Sequence, residues 1–438
     1  MYFRHCTCRR ATAENAEDAN QKKRGHGFHR LHGPERIKKH EFCFCSDPCV
    51  PCNPWLSFWF SSARSALIRA CIAFSYNRAA LSYPVSQLSS AIKRMATELG
   101  FDLAGVAGVA DTPEHRFFPQ WLAAGYGGEM RYLEARNDAG ELKRASLANA
   151  APWARSVVVC ALNYNTNAPY STHSGSTSQG WISRYAFTGR DYHNVVLDKL
   201  RALEARLIAL VTEHGGEAPR TWCYVDTGPV IERVIAQYAG IGWVGKNTCL
   251  LSQKLGSWLF LGVILTSFEL IPDLPSPDRC GSCTRCLDAC PTNAFISPYQ
   301  LDATRCISYL TIEKRGSIPE ELREGIGRQV YGCDICQDVC PWNRRAPLTT
   351  VPEFSPRPQL VNPELEWLAG LTLEEFREVF RGSPIKRARY RGLRRNVAVA
   401  MGNSGDPRFL PALRRLAEDE DPTVAEHARW ALGRLASR

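Results

Sequence analysis

Eight cysteines between Cys280 and Cys340 constrain the fold of this chain more than any other feature. The first four lie in the segment CGSCTRCLDACP, which has the C-x2-C-x2-C-x3-C-P spacing of bacterial proteins with cubane iron–sulfur clusters. A second, split version follows, in which Cys306 stands alone ahead of the segment CDICQDVCP. In two-cluster proteins the fourth cysteine of such a run ligates the neighbouring cluster, so both runs have to fold together.

This exchange of the fourth cysteine assigns four ligands to each cluster. The ligands predicted for one cluster are Cys280, Cys283, Cys286 and Cys340, and those for the other are Cys290, Cys306, Cys333 and Cys336. Zinc is the alternative, because C-x2-C pairs also hold zinc. Zinc knuckles lack the third cysteine at this spacing and the closing C-P, so the pattern predicts two [4Fe–4S] clusters.

The composition indicates a folded protein of a reducing compartment. The chain has 438 residues, of which 45% are hydrophobic, and is long enough for two or three domains. No stretch approaches the ~20 apolar residues that a membrane span needs. The pair Arg9-Arg10 is not followed by the apolar stretch of an export signal. Since cluster thiolates must stay reduced, we expect a cytoplasmic protein without a membrane segment.

Residues 1–82 differ in character from the rest of the chain. They are polar, broken by Gly and Pro, and contain seven cysteines without regular spacing. We interpret them as a disordered extension or a mis-assigned start. A zinc site on the cysteines at 43–52 is an alternative that no helix or hairpin pattern supports. The expected domains are an α/β or α+β domain over 83–272, the cluster domain over 273–345, and a linker with a helical tail over 346–438.

Strands and helices alternate irregularly ahead of the cysteines, as in an α/β or α+β domain. Residues 156–162 (SVVVCAL) predict a buried strand, 191–211 a long amphipathic helix, and 221–226 a short strand. Thr227 is expected to cap the next helix. The segment CLLSQKLGSWLFLGVILTS, residues 249–267, predicts a hairpin that turns at residues 254–256.

The C-terminal tail combines a helical repeat with a basic run. Residues 394–435 predict three helices broken by GDPRFLP and EDEDPTV, as in one and a half HEAT-type repeats. So short an array is expected to pack on the preceding domain. Just ahead of it, residues 386–395 (KRARYRGLRR) concentrate part of the +10 net charge. A solvated helix face is the alternative, but the adjoining repeat favours a patch that contacts phosphates.

Two motifs in the first domain are misleading. GIGWVG, residues 240–245, has nucleotide-binding glycine spacing, but it follows a helix where a dinucleotide site requires a strand. Asp191-Tyr192-His193 resembles the start of a D-x-H-x-x-G cobalamin motif, but Val196 replaces the glycine. We therefore expect His193 to cap or pack a helix and not to ligate cobalt.

Asp226 is the candidate acid of this domain. It lies at the predicted end of a strand and ahead of a helix, where open α/β sheets place reactive groups. A carboxylate in a partly dry pocket can have a pKa raised enough to hold a proton near neutrality. A turn or capping aspartate is the alternative.

Several segments resemble the epoxyqueuosine reductase family, the cobalamin- and iron–sulfur-dependent enzymes of tRNA queuosine synthesis. The resemblance extends from about Pro84 to the C-terminus. Beside the two cysteine runs, it is carried by ISRYAFTGRDYH (182–193), YVDTGPVIER (224–233), AGIGWVGKNTCL (239–250), RCISYLTIEKRG (305–316) and RRN (394–396). It implies a cobalamin-binding α/β (α+β) domain, a ferredoxin-like domain with two [4Fe–4S] clusters, and a C-terminal α-helical HEAT-like repeat.

The resemblance also implies a reaction and its participants. The family reduces the epoxide of epoxyqueuosine in the tRNA anticodon loop to an alkene, and the oxygen leaves as water with two electrons and two protons. Paired clusters would pass electrons one at a time to cobalamin. An epoxide oxygen leaves poorly unless protonated, and the resemblance makes Asp226 the acid. The expected partners are the tRNA, with its base flipped into the pocket, and a low-potential electron donor for a monomeric enzyme.

Further positions take on roles through the resemblance alone. The residues expected at the corrin are Arg144, Ser183, Asp226, Leu250, Leu261, Ser308 and Asp334. The residues expected at the tRNA are Lys314, Arg394, Arg395 and Asn396.

Two other classes of protein share part of this pattern. A corrinoid reductive dehalogenase would have the same clusters and cobalt chemistry, but it predicts an export signal and leaves the basic helical tail unexplained. A ferredoxin-type electron-transfer protein would leave the long folded segment ahead of the clusters without a purpose. Co-purification of cobalamin separates this last class from the other two.

Overall fold

The structure is a computed structural model that describes residues 84–173 and 175–437, so the interpretation of residues 1–82 lies outside the described residues. Its central sheet has four strands, β1 Leu103–Ala107, β2 Ser156–Asn163, β4 Thr221–Tyr224 and β7 Leu259–Thr266. Their order is β1-β2-β7-β4, and every neighbouring pair is antiparallel. The domain is therefore α+β, and Asp226 follows an antiparallel edge strand.

Helices cover both faces of this sheet, which explains why the β2 sequence is continuously apolar. On one face Val158 packs with α1, Val85–Glu98, and α4, Tyr192–Glu213. On the other face Val157 and its alternate neighbours pack with α5, Glu232–Tyr238. All eight residues of β2 are buried, so this strand forms the centre of the first domain.

One glycine lets α4 approach the sheet closely. A Cβ atom at Gly262 of β7 would lie 2.5 Å from Leu200 Cδ1 and 2.9 Å from Val196 Cγ1. Both contacts are shorter than real Cβ atoms make, so a larger residue here would have to displace the Leu200 and Val196 side chains. The approach fixes the N-terminal turn of α4, which carries residues 191–193, relative to the sheet.

The hairpin predicted over residues 249–267 is wrong. The short strand β6, Leu250–Leu251, pairs with β5, Trp243–Val244, whereas β7 lies between β2 and β4 in the central sheet. A single bridge between Ser252 and Gly256 is all that joins the two arms. The apolar side chains of β7 bury more surface against β2 and two helix layers than an isolated hairpin could offer.

The cap predicted at Thr227 is also wrong. Helix α5 begins at Glu232 with Ile231 at its N-cap position, and no side chain caps it. The Thr227 amide instead donates to the Val225 carbonyl, 2.6 Å away, in the turn that carries Asp226. The strand-to-helix connection is thus longer than the sequence pattern indicated.

The cysteine segment is built from short elements that join the first domain to the tail. Its helices are α6 Arg285–Asp288, α7 Ile307–Ile312, α8 Glu320–Arg323 and α9 Ile335–Asp338, and its strands are β8 Phe295–Ser297, β9 Gln300–Leu301 and β10 Gln329–Tyr331. Strand β10 pairs in parallel with β3, Trp181–Ile182, of the first domain. Asn343 Nδ2 also donates to Ser257 Oγ, 2.8 Å away.

The tail ends in the three helices predicted from the sequence. They are α12 Arg389–Ser404, α13 Leu410–Ala417 and α14 Pro422–Ala436, preceded by α10 Leu365–Gly370 and α11 Leu373–Val379. Gly405, at φ 71°, ends α12 in the left-handed conformation that glycine favours. Asp421 caps α14 by accepting bonds from the amides of Thr423 and Val424. The helices share a core with Ile182 and Val330, so the short array packs on the rest of the protein as expected.

Two further short helices, α2 Pro113–Ala123 and α3 Leu147–Ala150, complete the first domain. Within residues 84–173 and 175–437, no helix combines the length and the apolar character needed to cross a bilayer.

Candidate active site

The fold gathers the eight cysteines of residues 280–340 into two groups of four. One group lines a single small cavity beside Lys246 and Trp342, and its members are Cys280, Cys283, Cys286 and Cys340. The other four lie close enough to affect one another: burial first, and then Cys306 and Cys290, raises the pKa of the Cys333 thiol well above its usual value. Cys336 adjoins Cys333 and Cys306. The structure thus brings together the same sets of four that the sequence analysis predicts, and their ligation of two clusters stays a prediction.

The donor sets fit two cubane clusters. Each group offers four thiols, which is the all-cysteine ligation that such clusters take. In the second group the Ala294 amide donates to Cys290 Sγ at 3.4 Å, a contact of the kind that tunes cluster potentials. A ninth cysteine, Cys249, lies against Cys336, and neither the spacing nor the motifs of the sequence pointed to it.

Asp226 occupies a strained turn directly after β4. Its φ is +58°, a conformation that costs a non-glycine residue roughly 1 kcal/mol and that Asp and Asn tolerate best. The turn is tight, since a Cβ atom at Gly228 would lie 1.9 Å from the Tyr224 ring. The turn holds the Asp226 carboxylate in an open cleft, where 60% of the side chain is accessible.

Two residues at the start of α4, Tyr192 and His193, approach that carboxylate, and Asp191 lies behind them against His193. The Tyr192 hydroxyl donates to Asp226 Oδ2 at 3.0 Å, and His193 Nε2 lies 3.7 Å from the same oxygen. Asp191 caps α4 by accepting from the His193 amide, and its Oδ1 lies 2.8 Å from His193 Nδ1. The His193 ring therefore lies between two carboxylates. The residue that caps α4 is Asp191 and not His193, for which a capping or packing role was expected, and sequence reasoning missed the contact between His193 and Asp226.

The electrostatics of this cluster differ from the sequence prediction. Partial desolvation would raise the pKa of Asp226, but the hydrogen bond and charge of His193, followed by the Tyr192 hydroxyl and Arg387, outweigh it and lower that pKa. Desolvation would lower the pKa of His193, but bonds to Asp191 and Asp226 raise it to about 9. At neutral pH the structure therefore pairs an imidazolium with a carboxylate. The expectation that Asp226 itself has a raised pKa is wrong because it did not include His193.

The residues expected at the corrin do not form one surface of free side chains. Ser183 and Asp334 are both buried, and Ser183 Oγ donates to Asp334 Oδ1 at 2.6 Å while the Arg184 amide donates to Oδ2. Arg144 donates to the carbonyls of Tyr132 and Gly228, next to the turn that holds Asp226. The other three positions are partly or fully buried side chains on β6, β7 and α7, namely Leu250, Leu261 and Ser308.

Two of the residues expected at the tRNA have their side chains buried. Arg395 is 1% exposed and donates to the carbonyls of Leu310, Lys314 and Gly316 at 2.6–2.9 Å. Asn396 is fully buried and donates to the Thr311 and Val330 carbonyls. Because both side chains are buried and bonded to backbone carbonyls, they are not free to contact a phosphate, in contrast to the sequence prediction. They lie on the inner face of α12 and hold the loop that carries Lys314.

The other two lie nearer the surface with acidic partners. Arg394 Nη1 is 2.6 Å from Asp419 Oδ2, and Lys314 Nζ is 2.5 Å from Glu129 Oε1. Beside Lys314 opens a pocket of about 500 Å³ that is mainly basic. Its lining is formed by Glu129, Arg131, Tyr132, Glu313, Arg315, Lys386, Arg387 and Arg389. Part of the basic run 386–395 thus lines a concave surface, as a phosphate-contacting patch requires.

This basic pocket adjoins Asp226. The Arg387 guanidinium lies 5.4 Å from the centre of the Tyr132 ring and pairs with Glu313. Its charge contributes to the lowered pKa of Asp226, while burial first, and then the charges of Glu313 and Asp226, raise the pKa of Tyr132. An aromatic ring and a guanidinium of the basic pocket therefore lie near the Asp226 carboxylate.

The buried contacts of Arg395 give a stability prediction. Replacing Arg395 by methionine is expected to lower the free energy of unfolding by about 3 kcal/mol, because the carbonyls of Leu310, Lys314 and Gly316 lose the guanidinium that donates to them. Urea unfolding followed by tryptophan fluorescence measures this loss. Arg391→Met is the matched control, since Arg391 is 80% exposed and a change within about 0.5 kcal/mol is expected. Equal effects of the two substitutions would contradict the role of Arg395 as a buried brace.

Comparisons with known proteins agree with this architecture. Three family models match: a 4Fe-4S double cluster binding domain over residues 279–343, epoxyqueuosine reductase QueG, DUF1730, over residues 144–227, and HEAT repeats over residues 385–438. The chain is 42% identical over 360 residues to the epoxyqueuosine reductase of Pseudomonas aeruginosa, an alignment that covers 80% of this chain and 95% of that protein. The Escherichia coli K12 epoxyqueuosine reductase is 38% identical over 363 residues, with coverage of 81% and 91%.

A solved structure shares the fold. A crystal structure of epoxyqueuosine reductase with a tRNA-Tyr epoxyqueuosine-modified tRNA stem loop superposes with a TM-score of 0.71 at 33% sequence identity, and covers 80% of this chain and 91% of its own. The two cysteine groups, the matching double-cluster model and the acidic residue in the cleft define an iron–sulfur oxidoreductase that binds two [4Fe–4S] clusters. The chain belongs to the epoxyqueuosine reductase family.

Proposed function

We propose that this protein reduces epoxyqueuosine to queuosine in the anticodon loop of tRNA. The observation that carries the proposal is the placement of Asp226, which lies in an open cleft against Tyr192 and His193 and beside a basic pocket. Membership of the family, and the tRNA stem loop bound by the related structure, support the choice of substrate. We place the reaction in the cytoplasm, where tRNA and reduced thiols occur together.

The reaction balances with two electrons and two protons. The C–O bonds of the epoxide break, an alkene forms, and the oxygen leaves as water. When bound, cobalamin would supply low-potential electrons to the substrate, and the two clusters would pass replacement electrons to it one at a time from an external donor. We propose Cys280, Cys283, Cys286 and Cys340 as ligands of one cluster, and Cys290, Cys306, Cys333 and Cys336 as ligands of the other.

The protein around Asp226 fits a cofactor with amide side chains. Tyr224 Oη and Glu232 Oε1 are buried atoms without a hydrogen-bond partner, and both lie near the Asp226 turn. Buried polar atoms normally have partners, and the amides at the edge of a corrin would provide them. We propose Arg144, Ser183, Leu250, Leu261, Ser308 and Asp334 as the protein wall at the corrin. Ser183 and Asp334 would serve this wall as a mutually bonded pair that fixes its shape.

The side chains of the cleft then have separate tasks. Asp226 delivers a proton to the epoxide oxygen, which would otherwise be a poor leaving group. The Tyr192 hydroxyl fixes the orientation of the carboxylate by donating to Oδ2. The Tyr132 ring offers a stacking face to a flipped base, and the cations of the pocket contact the neighbouring phosphates. Because a flipped base leaves the stack, a modified group on it can reach the bottom of the cleft.

The proposal is tested by anaerobic incubation of the cluster-loaded protein with cobalamin, a chemical reductant and tRNA that contains epoxyqueuosine. Nucleoside mass spectrometry is expected to show a product lighter by one oxygen, which omission of cobalamin abolishes. An unchanged nucleoside, with clusters and cobalamin both shown to be bound, would refute this substrate. If the protein binds one tRNA as a monomer, the same preparation is expected to contain a single protein–tRNA complex of one-to-one stoichiometry.

The basic pocket gives a prediction for tRNA binding. Lys386 and Arg389 line the pocket, and neither forms an ion pair with another described residue. The double variant Lys386→Gln, Arg389→Gln is expected to bind tRNA about tenfold more weakly, and to reduce the slope of log K against log salt by about 2, one unit for each lost phosphate contact. Filter binding at several salt concentrations measures both quantities.

The control is Arg206→Gln, an exposed cation roughly 20 Å along α4 from His193. This variant is expected to leave the affinity and the salt slope unchanged. An equal loss for the control and the pocket variant would mean that the whole positive surface attracts tRNA, and that the pocket has no special role.

A further inference from the structure

His193 is held on both sides by carboxylates. Its Nδ1 is 2.8 Å from Asp191 Oδ1, and its Nε2 is 3.7 Å from Asp226 Oδ2. Asp191 cannot move away easily because it also caps α4 through the His193 amide. The ring of Tyr192 stacks on the imidazole with 4.0 Å between ring centres, and on its other side it stacks on Phe260 at 4.2 Å. The imidazole is therefore held in one orientation, with its Nε2 atom toward Asp226.

This geometry favours the doubly protonated ring. A neutral imidazole has one N–H donor and would present a lone pair to one of the two carboxylates. An imidazolium donates from Nδ1 to Asp191 and presents its second N–H to Asp226, which lies at ion-pair distance. The other titratable groups that interact with Asp226 are Arg387, whose charge favours its anion, and Tyr132, Tyr185, Tyr192 and Glu232, while Arg144 acts on Glu232. The raised pKa of His193 and the lowered pKa of Asp226 agree with this assignment.

An ionised Asp226 holds no proton to give, so the acid of the reaction needs a source. We infer that His193 is this source: its Nε2 proton passes to Asp226 Oδ2 and from there to the epoxide oxygen, while Asp191 holds the Nδ1 proton in place. This inference rests on the proposed function for the substrate, but the coupling between His193 and Asp226 does not depend on any substrate. His193 acts through Asp226 and is a positioning and proton-supplying residue.

The transfer balances in protons. His193 loses its Nε2 proton and becomes the neutral Nδ1–H tautomer, which the Asp191 carboxylate stabilises. Asp226 is neutral only while the proton passes to the oxygen, as one C–O bond breaks with electrons from the cofactors. Solvent recharges the imidazole, whose side chain is 29% exposed, and a second passage completes the water that leaves. Each turnover therefore uses the pathway twice.

Glu232 is the competing proton source in this region. Burial first, and then the charge of Asp226, raises its pKa to about 7, so it also holds a proton near neutrality. Its Oε1 is buried without a partner, and no hydrogen bond connects its side chain to Asp226 among the described residues. His193 faces the carboxylate directly, and we therefore assign the transfer to it.

The first test measures the coupling without substrate. In protein labelled with 13C at histidine Cε1, with His193 assigned by its loss in His193→Gln, the imidazole is expected to titrate near pH 9. In Asp226→Asn and in Asp191→Asn the midpoint is expected to fall by about one unit or more, since each removes a carboxylate from the ring. A wild-type midpoint at or below 6.5 would overturn the inference.

The second test measures the pH dependence of single-turnover reduction with pre-reduced enzyme. The wild-type rate is expected to be flat between pH 6 and 8 and to fall above about pH 9, as His193 loses its proton. In His193→Gln, Asp226 regains an ordinary pKa and must take its proton from water. The rate at pH 7 is then expected to fall about 100-fold and to rise up to tenfold for each unit of decreasing pH.

These profiles separate a proton source from a packing residue. If His193→Gln is slow at every pH and its rate still falls above about pH 9 as in the wild type, His193 has only a packing role and the inference is overturned. If instead the fall in rate near pH 9 is lost in Glu232→Gln and kept in His193→Gln, Glu232 is the proton source. The histidine titration needs no tRNA, so it still decides whether His193 and Asp226 are coupled if the proposed reaction fails. That failure would show separately, as an unchanged nucleoside in the turnover experiment.

Discussion

Replacing Asp226 by asparagine is expected to lower the rate of epoxide reduction by about 1,000-fold. A general acid contributes roughly 10²–10⁴ to the rate of such reactions, and an amide cannot carry a proton to the oxygen. The substitution leaves the local structure intact because Asn tolerates positive φ nearly as well as Asp does, and φ here is +58°. The Asn carbonyl can still accept the bond from Tyr192. Loss of activity with unchanged unfolding would therefore report on chemistry.

The measurement is nucleoside mass spectrometry after anaerobic turnover, with cluster and cobalamin content determined on the same sample. The matched control is Asp198→Asn, two turns along α4 on an exposed surface where the carboxylate pairs with Arg190. Its rate is expected to stay within twofold of the wild type. An Asp226→Asn enzyme that keeps a third or more of the wild-type rate would exclude the carboxylate as the acid.

Serine at any one of the eight predicted ligands is expected to halve the iron content and to abolish turnover. The reason is that a [4Fe–4S] cluster with three cysteines is held weakly, and electrons must pass through both clusters. The informative variants are those at the exchanged positions. Cys340→Ser is expected to leave the same residual cluster spectrum as Cys286→Ser, and Cys290→Ser the same as Cys333→Ser.

Electron paramagnetic resonance of the reduced variants distinguishes the two residual clusters. Cys223→Ser is the control, because Cys223 lies in β4 outside both groups and contacts Glu204. Its iron content is expected to equal that of the wild type. If Cys340→Ser gave the residual spectrum of Cys333→Ser, the exchange of the fourth cysteine would be wrong, and each run would instead ligate its own cluster.

The sequence was sufficient wherever a local pattern has one structural solution. The cysteine spacing predicted two groups of four thiols, and the β-branched run predicted strand β2. The helix-breaking segments of the C-terminal tail predicted its three helices. Each of these depends on neighbours within a few residues, or on a metal chemistry with strict ligand counts.

Long-range contacts account for the predictions that failed. The hairpin was wrong because β7 pairs with β2, a strand about 100 residues away, and not with its neighbour. Arg395 belongs to a basic run, but its position on the inner face of α12 buries it against α7 and the Lys314 loop. The pKa of Asp226 was expected to rise, but His193 lies 33 positions earlier in the chain. None of these partners is visible in a local window.

The parallel pairing of β3 with β10 has a consequence for biosynthesis. Residues 181–182 find their partner at 329–331, so the ribosome adds almost 150 residues before this strand pair can close. Contacts so distant in sequence form late, and ribosomes add roughly 5–20 residues each second. The nascent first domain therefore waits several seconds with an unpaired strand beside its cleft. The last three predicted cluster ligands, Cys333, Cys336 and Cys340, follow β10 in the chain, so neither set of four cysteines is complete before the residues of this strand pair have been made.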